Sequence, residues 1–69
     1  MRLTHDKEVD AAYIYLTDEI CGPISTRSLD PSSVDGMINL DFDVNDHLVG
    51  IEVIPASKLL PPTLLSVSS

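Results

Sequence analysis

The sequence has little with which to staple itself or to steer toward an anionic partner. Cys21 is the lone cysteine of 69 residues, so no disulfide can form within the chain. A single cysteine also gives no argument for an oxidising compartment. The bases number four, Arg2, Lys7, Arg27 and Lys58, and they are scattered. Nucleic acids and anionic membranes call for a basic patch, so neither is expected as a partner. Three glycines do not furnish a glycine-rich phosphate loop. No apolar run approaches the roughly 18 residues of a membrane span. No basic stretch followed by an apolar one marks a signal peptide. A cytoplasmic protein without a cofactor is the expectation.

Acid is what the chain does have. Eleven acids against four bases give a formal net charge of −7, which suits a soluble protein or one that meets a basic partner. The length allows one domain, and a chain this short buries only about 60% of its unfolded surface. We expect residues 1–60 to form a single compact domain, with 61–69 an apolar tail that either packs on a partner subunit or frays as many termini do.

Periodicity sets the elements. "RLTHD", residues 2–6, alternates as a brief strand, and the acidic "DKEVD" reads as a turn. Residues 11–17 form a second strand, with Ala12, Ile14 and Leu16 on one face and Tyr13, Tyr15 and Thr17 on the other. Gly22-Pro23 punctuates the chain. "ISTRSLD", residues 24–30, resumes an extended stretch and is expected to pair with the strand before it. From Met37, the residues Ile38, Leu40, Phe42 and Val44 alternate with Asn39, Asp41 and Asp43, and Val49, Ile51 and Val53 follow. A two-residue turn at Asn45-Asp46 would pair Phe42 with Val49, Leu40 with Ile51 and Ile38 with Val53. A one-residue slip would oppose apolar to polar, so the pattern selects this register. Pro55 to Leu60 can make a short helix, stopped by Pro61 and Pro62.

"DFDVNDHLVGIE", residues 41–52, also fits a calcium loop by spacing. Asp41, Asp43 and Asn45 fall at positions 1, 3 and 5 of the EF-hand template and Glu52 at position 12, with Asp46 replacing the glycine. Such a loop needs flanking helices. Here the entering segment alternates with period two, and Pro55 interrupts the exit, so a hairpin with a solvated acidic face is the better reading. No metal is expected, and Asp41, Asp43 and Glu52 are the weak candidates should one bind. Other chemistry is thin. His5 with Asp6, Glu8 and Asp10 offers one histidine where zinc ligands come in sets. His47 lies near the turn. Cys21 has no basic neighbour within five residues to lower its pKa, and reads as a quiet thiol.

"THDKEVDAAYIYLTD" and "GMINLDFDVNDHLVGIEVIPASKLL" resemble the small bacterial family catalogued as domain of unknown function 2283. The resemblance rests on Asp6, Asp10, Ala11, Tyr13, Ile14 and Leu16, then on Gly36, Asp41, Asp43, Leu48, Val49, Gly50, Ile51, Glu52, Ala56 and Ser57. His5 stands where the family pattern has an aromatic residue, Asp46 where it has the turn glycine, and Pro55 where it has an acid. The resemblance implies a compact antiparallel sheet with a short C-terminal helix and no assigned activity. Some members look like operon neighbours of small toxin-like proteins, which hints at an antitoxin or partner-binding role.

The expectation is therefore an α+β domain, a five-stranded antiparallel meander with a short C-terminal helix. Ala12, Ile14, Leu16, Ile38, Leu40, Phe42, Val49, Ile51 and Val53 should supply most of the core. A homodimer is expected, because residues 11–17 are apolar or aromatic on both faces and the tail adds Leu64, Leu65 and Val67. Two functional readings stand. One is a non-enzymatic module, antitoxin-like or regulatory, that holds a small basic protein through Asp41, Asp43, Glu52, Tyr13 and Tyr15. The other is a small metal-dependent enzyme using Asp6, Asp10, Asp41, Asp43 or Glu52 with His5.

Overall fold

A computed structural model describes residues 1–20, 22–30, 32 and 34–67. The elements are β1 (Arg2–Asp6), β2 (Ala11–Tyr15), β3 (Ser25–Ser28), β4 (Met37–Phe42), β5 (Leu48–Ile54), α1 (Ala56–Leu59) and α2 (Pro62–Leu65). The strands make one antiparallel sheet in the order β1-β2-β5-β4-β3. The α+β class and the antiparallel sheet are as the sequence implies.

The strand order departs from a sequential meander at one place. β3 does not pair with the strand before it; it pairs with β4, Ser25 opposite Phe42 and Ser28 opposite Asn39. β5 takes the place beside β2. Burial explains the exchange. "STRS" is exposed at all four positions and can serve as an edge. β5 holds Val49 and Val53, both buried, and such a strand gains most from neighbours on both sides.

The β4–β5 register is the expected one over most of its length. Ile38 faces Val53 and Leu40 faces Ile51, with Asn39 opposite Glu52 and Asp41 opposite Gly50. It then shifts, and Phe42 meets Leu48 rather than Val49. The turn is the cause. The Asp43 N–H donates to the His47 carbonyl (2.9 Å) and the Asp46 N–H to the Asp43 carbonyl (3.1 Å). Among the non-glycine residues described, positive φ occurs at Asp46 (62°) and Asp10 (54°). The loop thus holds three residues, Val44 to Asp46, in a turn closed by one left-handed residue, instead of a two-residue turn. The Asp43 carboxylate accepts from the N–H groups of Asn45 and His47 at 2.9 and 3.0 Å, which fixes the turn locally.

Two short helices close the chain where one was expected. Pro61 ends the first, and Pro62 opens the second, at a first-turn position that needs no N–H. The segment read as a tail thus holds α2, and Leu64 lies with Leu3 and Ile14 along one groove. Fully buried apolar residues are Ala12, Val49, Val53 and Ala56. The other expected core residues, Ile14, Leu16, Ile38, Leu40, Phe42 and Ile51, are only partly covered.

The left-handed residue at 46 offers a direct test of the turn. Alanine there takes on the steric penalty of that backbone region, about 1 kcal/mol, and glycine removes it. Urea denaturation should rank Asp46→Gly above Asp46→Ala in stability; the reverse order would contradict a three-residue loop.

Candidate functional site

Register assigns each strand residue to a face. On the polar face two rows run across the sheet. Thr4, Tyr13, Glu52, Asn39 and Ser28 form one, and Arg2, Tyr15, Gly50, Asp41 and Thr26 form the other. The first row is chained by hydrogen bonds. The Ser28 hydroxyl donates to the Asn39 side-chain oxygen at 2.7 Å, and the Asn39 amide donates to Glu52 at 2.9 Å.

The second row is joined to the first by Tyr13. Its hydroxyl crosses β5 and donates to Asp41 at 2.5 Å. The other Asp41 oxygen accepts from Thr26 at 2.6 Å. Gly50 makes the crossing possible, since a Cβ there would fall on the Tyr13 hydroxyl. Burial, and then the Asp41 carboxylate, push the Tyr13 phenol well above its ordinary pKa, so it remains a donor. Tyr15 packs beside Tyr13 with ring centroids 4.6 Å apart, and the Arg2 guanidinium lies 4.1 Å over the Tyr15 ring.

Of the five residues expected to bind a partner, four therefore share one face: Tyr13, Tyr15, Asp41 and Glu52. Asp43 stands apart, turned into its own loop. Its pKa is lowered chiefly by the His47 N–H. The weak metal candidates Asp41, Asp43 and Glu52 thus do not converge. Among the described residues, no group of three or more His, Cys, Asp or Glu is placed to hold an ion. Cys21 lies outside the described residues.

A second polar cluster joins the first hairpin to α1. The Asp10 carboxylate accepts from His5 Nε2 at 2.8 Å, from the Ser57 N–H at 3.1 and 3.3 Å, and from the Ser57 hydroxyl. The Asp10 carbonyl accepts from the Ala56 N–H at 2.7 Å. Helix α1 begins after Pro55, whose side chain makes no capping bond. Asp10 does that work from a distance, satisfying N–H groups that a helix start leaves open. The Ser57 hydroxyl, and then His5, hold the Asp10 carboxyl below the ordinary carboxylate range. His5 and Asp10 are thus neighbours, but on a different side of the molecule from Asp41 and Glu52.

Sequence reasoning singled out neither Gly50 as a spacer nor Asn39, Thr26 and Ser28 as partners of the acids, and it left Ser57 and Asp10 unconnected. One signal was present: an isolated glycine inside a strand marks a close approach.

Two predictions follow from these clusters. Gly50→Ala should destabilise the fold by about 1–3 kcal/mol through overpacking. Most of that loss should vanish in a Tyr13→Ala background, measured by urea unfolding; equal losses in both backgrounds would separate Gly50 from Tyr13. Asp10 is the pH-sensitive element. Its folded pKa lies below the unfolded value of 3.8, so its contribution is present at neutral pH and lost as pH falls through the lowered value. Asp10→Asn should flatten the acid limb of stability against pH, leaving the slope due to Asp30 and Asp43, which are also lowered. An unchanged acid limb would remove Asp10 from that role.

Among the described residues, no helix is long and apolar enough to cross a membrane. Neither a curated protein nor a solved structure matches the chain. A family model does match, over residues 2–57, the span that holds both polar clusters. The chain belongs to the family described as "Protein of unknown function (DUF2283)".

Proposed function

We propose that the protein is a non-enzymatic protein-binding module, antitoxin-like or regulatory, that offers its polar sheet face to a small basic partner. The observation that carries this reading is the commitment of the polar side chains. Asp41, Glu52, Asp10 and His5 each hold one part of the chain to another. Groups fixed in that way make a rigid surface and are poorly placed to shuttle protons or gather a metal.

The face still has what a partner needs. A carboxylate has about four acceptor sites, so Asp41 and Glu52 keep acceptor capacity beyond their internal bonds. Tyr13 and Tyr15 add aromatic area, a residue class enriched at interfaces. The net charge of −7 favours encounter with a basic surface. The metal-dependent enzyme is less well supported, because its carboxylates are split between the polar face, the Asp43 loop and the Asp10 cluster.

Native mass spectrometry after gentle purification from the source cell tests the proposal. A stoichiometric small basic polypeptide should accompany the chain, leave in 1 M salt as a screened charge contact would, and bind less well to Tyr15→Ala. Recovery of the chain with no basic partner, or a complex indifferent to salt, would count against it.

A further inference from the structure

The sheet's other face is incompletely covered by its own chain. Its rows are His5, Ala12, Val53 and Ile38, then Leu3, Ile14, Ile51, Leu40 and Arg27. Phe42 continues this face, with the Arg27 guanidinium 4.4 Å over its ring. Helices α1 and α2 are only four residues each. They seal Ala12, Val53 and Ala56, yet leave Ile14, Ile38, Leu40, Phe42 and Ile51 partly exposed. Where α2 meets β1 and β2, an open groove of about 530 Å³ remains, lined by Met1, Arg2, Leu3, Ile14, Leu64 and Val67.

Dimensions lead to the same place. The chain forms a slab of 32 × 29 × 18 Å with a radius of gyration of 12.2 Å, against about 11 Å for a compact chain of this length. Its accessible surface is 4625 Å², against about 4,200 Å² for a monomer of this mass. One layer is missing, and sheets commonly supply it by packing face to face roughly 10 Å apart.

We infer that a second copy of this chain covers the apolar face, Leu40 and Ile51 lying at the centre of the contact and the α2 groove at its flank. Area and charge both select that occupant. A stable interface needs about 800 Å² from each partner, and a slab 32 by 29 Å presents a side of that order. No carboxylate lies among the strand residues of this face; its two polar strand side chains, His5 and Arg27, are each bonded to a carboxylate from a turn, Asp10 and Asp46. Two copies therefore meet over Leu40 and Ile51 without opposing unengaged acids, despite a charge of −7 each. A basic protein would find here only carboxylates already engaged by His5 and Arg27 and would go to the other face. The inference does not depend on the polar-face proposal, and the two respond oppositely to salt, since apolar burial is not screened.

Sedimentation velocity over a micromolar dilution series is the test, with Leu40→Glu and Tyr15→Ala alongside the natural chain. The natural chain and Tyr15→Ala should sediment at twice 7.5 kDa, as well in high salt as in low. Leu40→Glu should weaken the dimer by roughly thirtyfold or more, the size of a hot-spot loss. Should Leu40→Glu fail to fold, isotope-filtered NOEs in a mixed-label sample of the natural chain decide instead. Contacts between the Leu40 and Ile51 methyls of different copies support the inference. A folded monomer at every concentration would overturn it, as would a dimer lost in Tyr15→Ala or one whose intermolecular NOEs fall on Tyr13 and Tyr15.

Discussion

The bond from Tyr13 to Asp41 ties the sheet together across its middle. Tyr13 stands on β2 and Asp41 on β4, and β5 runs between them. The crossing requires a residue without a side chain at position 50, and Gly50 supplies it. Thr26 extends the same contact to β3 through the second Asp41 oxygen. One carboxylate thus joins three strands, β2, β3 and β4, across the intervening β5, on a face whose backbone ladders fix only neighbouring pairs. A slipped pairing would break this bond as well as opposing apolar to polar side chains on the other face.

Much of this was legible in the sequence where contacts are local and periodic. Alternation in 37–44 and 49–53 gave the pairs Ile38–Val53 and Leu40–Ile51, and those pairs stand. The register fails at Phe42 because the turn is one residue longer than the Asn45-Asp46 reading allows, and nothing in a period-two pattern counts turn residues. The placement of β3 was hidden for a different reason. A strand with polar residues on both faces carries no signal for its neighbour, and adjacency in sequence is only a tendency. The polar clusters were the least legible part. Tyr13 and Asp41 are 28 residues apart, and Asp10 and Ser57 are 47 apart, so no local rule joins them.

The two faces divide the chemistry cleanly. Acids concentrate on the polar face and in the turns, while the apolar face carries none on its strands. The same division accounts for the thin core. A single sheet with two one-turn helices seals small residues, Ala12 and Ala56 among them, but has too little chain left to cover Leu40 or Ile51. With no disulfide possible within the chain, stability then leans on hydrogen bonds between distant segments.

The central place of β5 also bears on how the chain acquires its structure. β2 finds its second neighbour in a strand that begins 33 residues beyond its end, since β2 closes at Tyr15 and β5 opens at Leu48. The two hairpins cannot join into one sheet until β5 has been made. Closing so long a loop before any contact rewards it slows folding. A nascent chain stalled before Leu48 would present two unconnected hairpin fragments, a species suited to capture by chaperones or by other copies of itself.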